Sequence, residues 1–255
     1  MGEHETWFDL LPGWHRLEEF FSPYLQRDWR WQAFQESHFT LTHVAGTVLV
    51  LLFVTYGALR YRAATATPEG RLVPPPKFGF RNFFEMFTEA FYNLAEQIMG
   101  EHNAQRYLSL IGTLAFFIFF SNVLGLIPGF APPTATLKTN LAIAGFVFVM
   151  THVLGVREHG IKYFKHFLGP VLWLSPLMLA IELISHIARP VSLSLRLMGN
   201  ILADHKVVFS FFTLVPILVP VPFLLLGVLV CVIQTLVFVI LTMVYISMAV
   251  AHEEH

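Results

Sequence analysis

Charge disappears from four stretches of this chain. Residues 39–59, 107–137 and 139–156 contain no Lys, Arg, Asp or Glu, apart from their flanks, and 207–251 runs 45 residues without a formal charge. A helix needs ~20 predominantly apolar residues to cross a ~30 Å hydrocarbon core, so each of the first three supplies a crossing. The fourth is too long for one upright crossing, and Pro216, Pro220 and Pro222 interrupt it too often for one straight helix. Composition agrees: 13% of the 255 residues are charged, against about 25% in soluble domains. Net charge −1 leaves no basic footprint for nucleic acid. The lone Cys231, within an apolar run, excludes a disulfide scaffold and a thiolate zinc site, and reads as a small buried hydrophobe. The expected fold is an all-α polytopic integral membrane protein.

Lys and Arg set the orientation. Arg60, Arg62, Arg71, Lys77 and Arg81 follow the first crossing, Arg157, Lys162 and Lys165 follow the third, and only Lys138 lies between the second and third. The positive-inside rule then puts the N-terminus outside and the C-terminus in the cytoplasm. Residues 1–38 hold four of the five tryptophans, lack a signal peptide's basic start, and read as an extracytoplasmic interfacial segment. The first membrane helix is expected at 39–61. After a stiff Val-Pro-Pro-Pro-Lys linker, 79–104 places Phe80, Phe83, Phe84, Phe87, Phe91, Leu94 and Ile98 on one face, away from Glu85, Glu89 and Glu96. That segment is expected as an amphipathic helix on the cytoplasmic membrane surface, with docking on a partner as the alternative. Residues 106–157 are expected to form a transmembrane hairpin.

The remaining region, 173–252, reads as two long helices. Ser175 caps a helix that begins at Pro176 and meets no stop before Pro216, although Pro190 should bend or break it. Such a helix is about 57 Å long, too long for an upright crossing. On a helical wheel, Glu182, His186, Arg189, Ser192, Arg196, Asn200 and Asp204 all fall within about a third of the circumference. The opposite face is almost wholly Leu, Ile and Met. Bland roles exist for several of these. Arg189 and Lys206 can snorkel, Ser192 can bond its own helix, and Glu182 can pair with His186. Arg196 resists such a reading, because Leu193, Leu195, Leu197 and Met198 surround it. An arginine there costs at least ~2.5–3.5 kcal/mol and marks function by default. It cannot relay protons itself; it can attract a carboxylate and repel a passing cation. Glu182 and Asp204 are both turns away along the helix, so a carboxylate from another subunit is the attractive partner.

Residues 192–200, Ser-Leu-Ser-Leu-Arg-Leu-Met-Gly-Asn, resemble the signature of the subunit a family of F-type ATP synthases. The likeness continues through 233–249 and the acidic end Glu253-Glu254-His255. It implies a stator ion-channel subunit whose two tilted C-terminal helices face a ring of c subunits, with b-type peripheral stalk subunits and the lipid bilayer as further partners. It also implies two aqueous half-channels separated by Arg196, coupling proton flow to rotation. Asn200 and Gln234 would be polar neighbours, Glu182 would line one half-channel, and Pro216–Pro222 would make the turn between the helices. No cofactor, no metal and no catalytic centre in this chain itself are implied. One departure stands out. Relatives pair an acid or histidine near position 205 with another group seven residues before the glutamine, where this chain has Gly227. Asp204 and His205 are therefore expected to share the access-channel duty, with Gly227 leaving room for the His205 ring. Ser192 belongs to the half-channel set, and His186 and Arg189 are further candidates.

A self-contained secondary transporter using the 182–204 stripe is the alternative. It would be favoured by internal repeats, which are not found. An intramembrane hydrolase lacks its motif. His152, His159 and His166 recur every seven residues beside Lys and Arg, and read as surface residues. Without a transit peptide, a bacterial plasma (inner) membrane is expected. The choice between H⁺ and Na⁺ stays open, because the ring supplies the ion ligands.

Overall fold

The computed structural model describes residues 6–25, 40–66, 79–127, 129–160, 163, 175–214 and 220–250. All regular elements among them are helical. In chain order these are α1 (Trp14–Leu25), α2 (Leu41–Ala64), α3 (Phe80–Met99), α4 (Glu101–Gly125), α5 (Leu137–His159), α6 (Ser175–Leu214) and α7 (Pro220–Val250), with short 3₁₀ turns at Trp7–Leu10 and Pro133–Ala135. Four of them, α2, α4, α5 and α7, are long and apolar enough to cross a membrane.

Contacts at the two ends of the α4–α5 pair define the bundle. At one end Arg106 Nη2 lies 3.1 Å from Glu158 Oε2, joining the start of α4 to the close of α5. At the other, the Trp7 N–H donates to the Gly129 carbonyl at 3.0 Å, and Lys138 Nζ donates to the Leu25 carbonyl at 3.1 Å. The N-terminal segment therefore lies beside the 129–138 loop. Gly129 has φ 88°, and a Cβ there would stand 2.6 Å from Trp7 Nε1, so only glycine lets the indole close over it.

Helix α3 ends at Gly100, whose φ of 77° reverses the chain, so the expected 79–104 segment divides there and α4 begins at Glu101. The helix folds back along α4 with paired aromatic rings: Phe84 stacks on Phe116 at 4.8 Å, and Phe87 lies 4.4 Å from the same ring. Phe91, Ala95 and Met99 are buried with Tyr107 and Ile111 of α4 and Met243 and Ile246 of α7. Its apolar face is thus covered by this chain's own helices, while Glu89 and Glu96 stay exposed.

Helix α6 is continuous over 40 residues with Pro190 inside it. Proline removes one backbone donor, yet the helix is not broken, and the Ser194 hydroxyl donates to the Pro190 carbonyl at 2.7 Å. Leu193 and Leu197 pack with Phe238 of α7, Leu114 and Ile118 of α4, and Ala144 and Val147 of α5. Pro220 opens α7 and Pro222 lies in its first turn, positions where the missing N–H costs little. Pro216 falls outside the described residues, so of the expected Pro216–Pro222 turn only its helical end is described.

Candidate functional site

The functional face is built on α6. Leu193, Ser194, Leu197 and Ile201 are buried and form the side turned toward the rest of the bundle. Arg196 and Ser192 are exposed, together with Ala188, Gly199 and Ala203, which form one strip with them. His186, Arg189, Asn200 and Asp204 are half-buried along the seam between strip and core. The buried face is therefore adjacent to the polar stripe. Opposite it, Ile184, Ile187 and Val191 form an exposed apolar surface.

Asn200 Nδ2 donates to Gln234 Oε1 at 2.9 Å, fixing α6 to α7 one turn from Arg196. Gln234 is only 3% exposed. Its Nε2 and the Asp204 Oδ2 are both buried atoms without a hydrogen-bond partner among the described residues. Among those residues Arg196 makes no ion pair. Arg189 instead lies over the Tyr245 ring, 4.9 Å from its centroid. The backbones of Glu182 and His205 belong to α6, but their side chains lie outside the described set. Leu126, just past the end of α4, lies beside Gly227: a Cβ there would meet Leu126 Cδ2 at 2.6 Å.

The sequence reading missed a second polar group. Ser121 and Asn122 on α4, Thr134 in the Pro133–Ala135 turn and Asn140 on α5 are all completely buried. Asn140 Nδ2 donates to the Thr134 carbonyl at 2.7 Å. Both amide atoms of Asn122, the hydroxyls of Ser121 and Thr134, and Asn140 Oδ1 have no partner among the described residues. An unsatisfied buried polar group costs about 1–3 kcal/mol, and ordered water is the usual remedy. The available signal was a Ser-Asn pair inside an otherwise apolar crossing.

The sequence reading also placed His152 on the surface. In the bundle it is half-buried, 4.3 Å from the Phe148 ring and 5.4 Å from the His186 ring, because α5 packs that side against α6. His159 is half-buried, and His166 lies outside the described residues. Asp9, His15 and Glu18 bring possible metal-ligand atoms within 4.8 Å of one another near the N-terminus. The Asp9 carboxylate is already engaged, accepting from Thr6 N at 2.7 Å and from the Thr6 hydroxyl at 3.0 Å.

Comparison with known proteins follows this geometry. Residues 40–247 match the family described as ATP synthase A chain. The chain is 51% identical to ATP synthase subunit a 1 of Syntrophotalea carbinolica over 195 residues, covering 76% of this chain and 80% of that protein. It is 47% identical to ATP synthase subunit a of Trichlorobacter lovleyi over 188 residues, covering 74% and 77%. With the subunit a of Geobacter sulfurreducens it shares 51% identity over 156 residues, 61% of this chain and 68% of that one.

Proposed function

This chain belongs to the ATP synthase A chain family, and we propose that it is the stator ion channel of a rotary ATP synthase, with Arg196 separating two aqueous half-channels. The carrying observation is Arg196 itself. It is a cation exposed on a helix face made otherwise of Ala188, Ser192, Gly199 and Ala203. Small neighbours let another helix approach closely, and a charge in that setting calls for a counter-charge. Carboxylates carried past by a ring of c subunits meet the requirement.

Each half-channel has its own polar groups. On one side of Arg196, Asn200, Gln234 and Asp204 lead toward buried Ser121, Asn122, Thr134 and Asn140, whose unmatched polar atoms suit a chain of waters. Asp204 lies about 12 Å from Arg196 along α6, and His205 follows it. On the other side are Arg189, His186 and, about 21 Å from Arg196, Glu182; Ser192 stands one turn from the arginine. A proton entering by one path neutralises a ring carboxylate, and the carboxylate then moves into lipid. Returning to Arg196, it ionises again and releases its proton into the other path. Arginine never deprotonates here, so the barrier between the two paths persists through every cycle.

The reading assigns partners and place. The c ring covers the Arg196 strip, b-type peripheral stalk subunits hold the chain against torque, and lipid meets the outer faces of α2 and α7. The membrane is a bacterial inner membrane, with the N-terminus and the 129–138 loop outside and the C-terminus in the cytoplasm. A helix as long as α6, about 60 Å, must lie far from the bilayer normal to stay within a ~30 Å core.

The test is Arg196→Ala in the assembled complex. Ion-driven ATP synthesis is expected to disappear while the complex remains intact on gels. Arg196→Lys is expected to fail as well, because a compact ammonium lacks the planar fork and loses its proton more readily when desolvated. Wild-type synthesis in either variant would eliminate the barrier.

A further inference from the structure

Where α5, α6 and α7 meet, on the Glu182 side of Arg196, the bundle forms a partly open cavity of about 70 Å³. His152 and Thr151 reach it from α5, His186 and Arg189 from α6, Tyr245 from α7, and Tyr163 from the turn after α5. One water needs ~10–15 Å³ of such space together with polar partners, so the cavity has room for several. The two imidazoles stand 5.4 Å apart at 74°, and the Tyr163 ring is 5.9 Å from His152 at 87°. Gly155 admits that tyrosine, since a Cβ there would overlap its ring.

We propose that His152 and His186 form a proton-exchanging station of the ion path, in a water-holding cavity behind α6. The inference rests on the half-channel reading above. It adds α5 to that path. His152 Nδ1 lies 2.8 Å from the Phe148 carbonyl. Donation there assigns the Nδ1 proton and leaves Nε2 as the nitrogen that gains and loses a proton. Among the described residues, the other titratable or charged groups lining the cavity are Tyr163, Arg189 and Tyr245. Burial raises the Tyr163 phenol, with the Arg189 charge pulling the other way, so Tyr163 is a neutral donor. Arg189 is a fixed cation held against Tyr245. Its charge opposes two imidazoliums at once. A proton taken by one imidazole from the cytoplasmic side passes to the other, directly or through water, and is released from there toward the ring carboxylate, so the station ends as it began. Outward flow runs the same steps in reverse. Imidazole binds protons readily and has no comparable affinity for Na⁺, whose ligands are oxygens.

Four substitutions in the whole complex, measured in inside-out vesicles, test the station. His152→Phe and His186→Phe preserve ring packing; His152→Gln and His186→Gln preserve polarity and cover the case where a phenylalanine variant fails to assemble. Each is expected to slow proton flow at least ~10-fold, as loss of a positioned acid–base group does, and to flatten its dependence on pH through the imidazole range, about pH 6 to 8. Wild-type rates with an unchanged pH profile in the assembled variants would overturn the station. So would ATP synthesis by the unmodified complex from a Na⁺ gradient alone. Arg196→Ala in the same vesicles keeps the two ideas apart: if it stops flow while the histidine variants conduct normally, the half-channels stand and the station falls.

Discussion

Arg196 is exposed, whereas Gln234 is only 3% exposed. Asn200 joins them: it follows Arg196 by one turn and donates to Gln234 at 2.9 Å. That bond contributes little, about 1 kcal/mol net, but losing it strands a buried amide. Asp204, one turn further, is half-buried with one carboxylate oxygen unmatched. Such a group can exchange a proton with water only if water reaches it. Asp204→Ala is therefore expected to slow proton flow about 100-fold with Arg196 untouched. Asp204→Asn keeps the shape and removes the titration. If the asparagine variant pumps at the wild-type rate from about pH 6 to 8, Asp204 is only a boundary residue beside Lys206.

Among the elements, α3 has its apolar face covered by the chain's own helices. Its phenylalanine stripe has the period of a surface-bound amphipathic helix, and periodicity states only that one face is apolar. Whether lipid or protein covers that face depends on what lies alongside. Here Gly100 turns the chain so that α4 presents Phe116 and Phe120. From the other side, α2 presents Gly57, where a Cβ would overlap the Phe84 ring. Gly57→Leu is expected to destabilise the chain by about 1–3 kcal/mol through overpacking, seen as a lower melting temperature of the complex. Adding Phe84→Ala should recover part of the loss. If the double variant melts no higher than Gly57→Leu alone, the α2–α3 contact is not the cause.

At the scale of the molecule, α7 is the common wall. Met243 and Ile246 pack toward α3 and α4, and Phe238 packs toward α5 and α6. The bundle thereby supports α6 from behind and leaves the Arg196 strip open. A channel with one open wall should not conduct by itself. Liposomes containing the purified chain alone are expected to hold a pH gradient under a potassium–valinomycin potential, and to lose it when the c ring is incorporated with the chain. Conduction by the chain alone, abolished by Arg196→Ala, would instead favour a self-contained transporter. The membrane potential acts on each transferred charge with about 2.3 kcal/mol per 100 mV, ample to reveal either outcome.

Membrane class, the long helices and the singular position of Arg196 were legible in the order of residues, because charge exclusion and helical period are local properties. The Arg196 motif also carried the family. The wheel grouped Asn200 with Asp204 and the resemblance put Gln234 near Arg196, yet only the packing of α7 gave the Asn200–Gln234 bond, and only the approach of α5 set His152 against His186. Pro190 shows the same division: proline's local rule allows a bend or a break, and the packed helix takes the unbroken course, with Ser194 bonded to the Pro190 carbonyl. Of Ser121, Asn122, Thr134 and Asn140, only the adjacent Ser-Asn pair stood out in sequence, the four being spread over two helices and a turn. Thr134 meets Asn140 because the 129–138 segment folds into the bundle, and burial turns four ordinary polar side chains into a demand for water. Contacts between distant segments are set by which faces can be covered at once, a condition on the whole chain that no local pattern states.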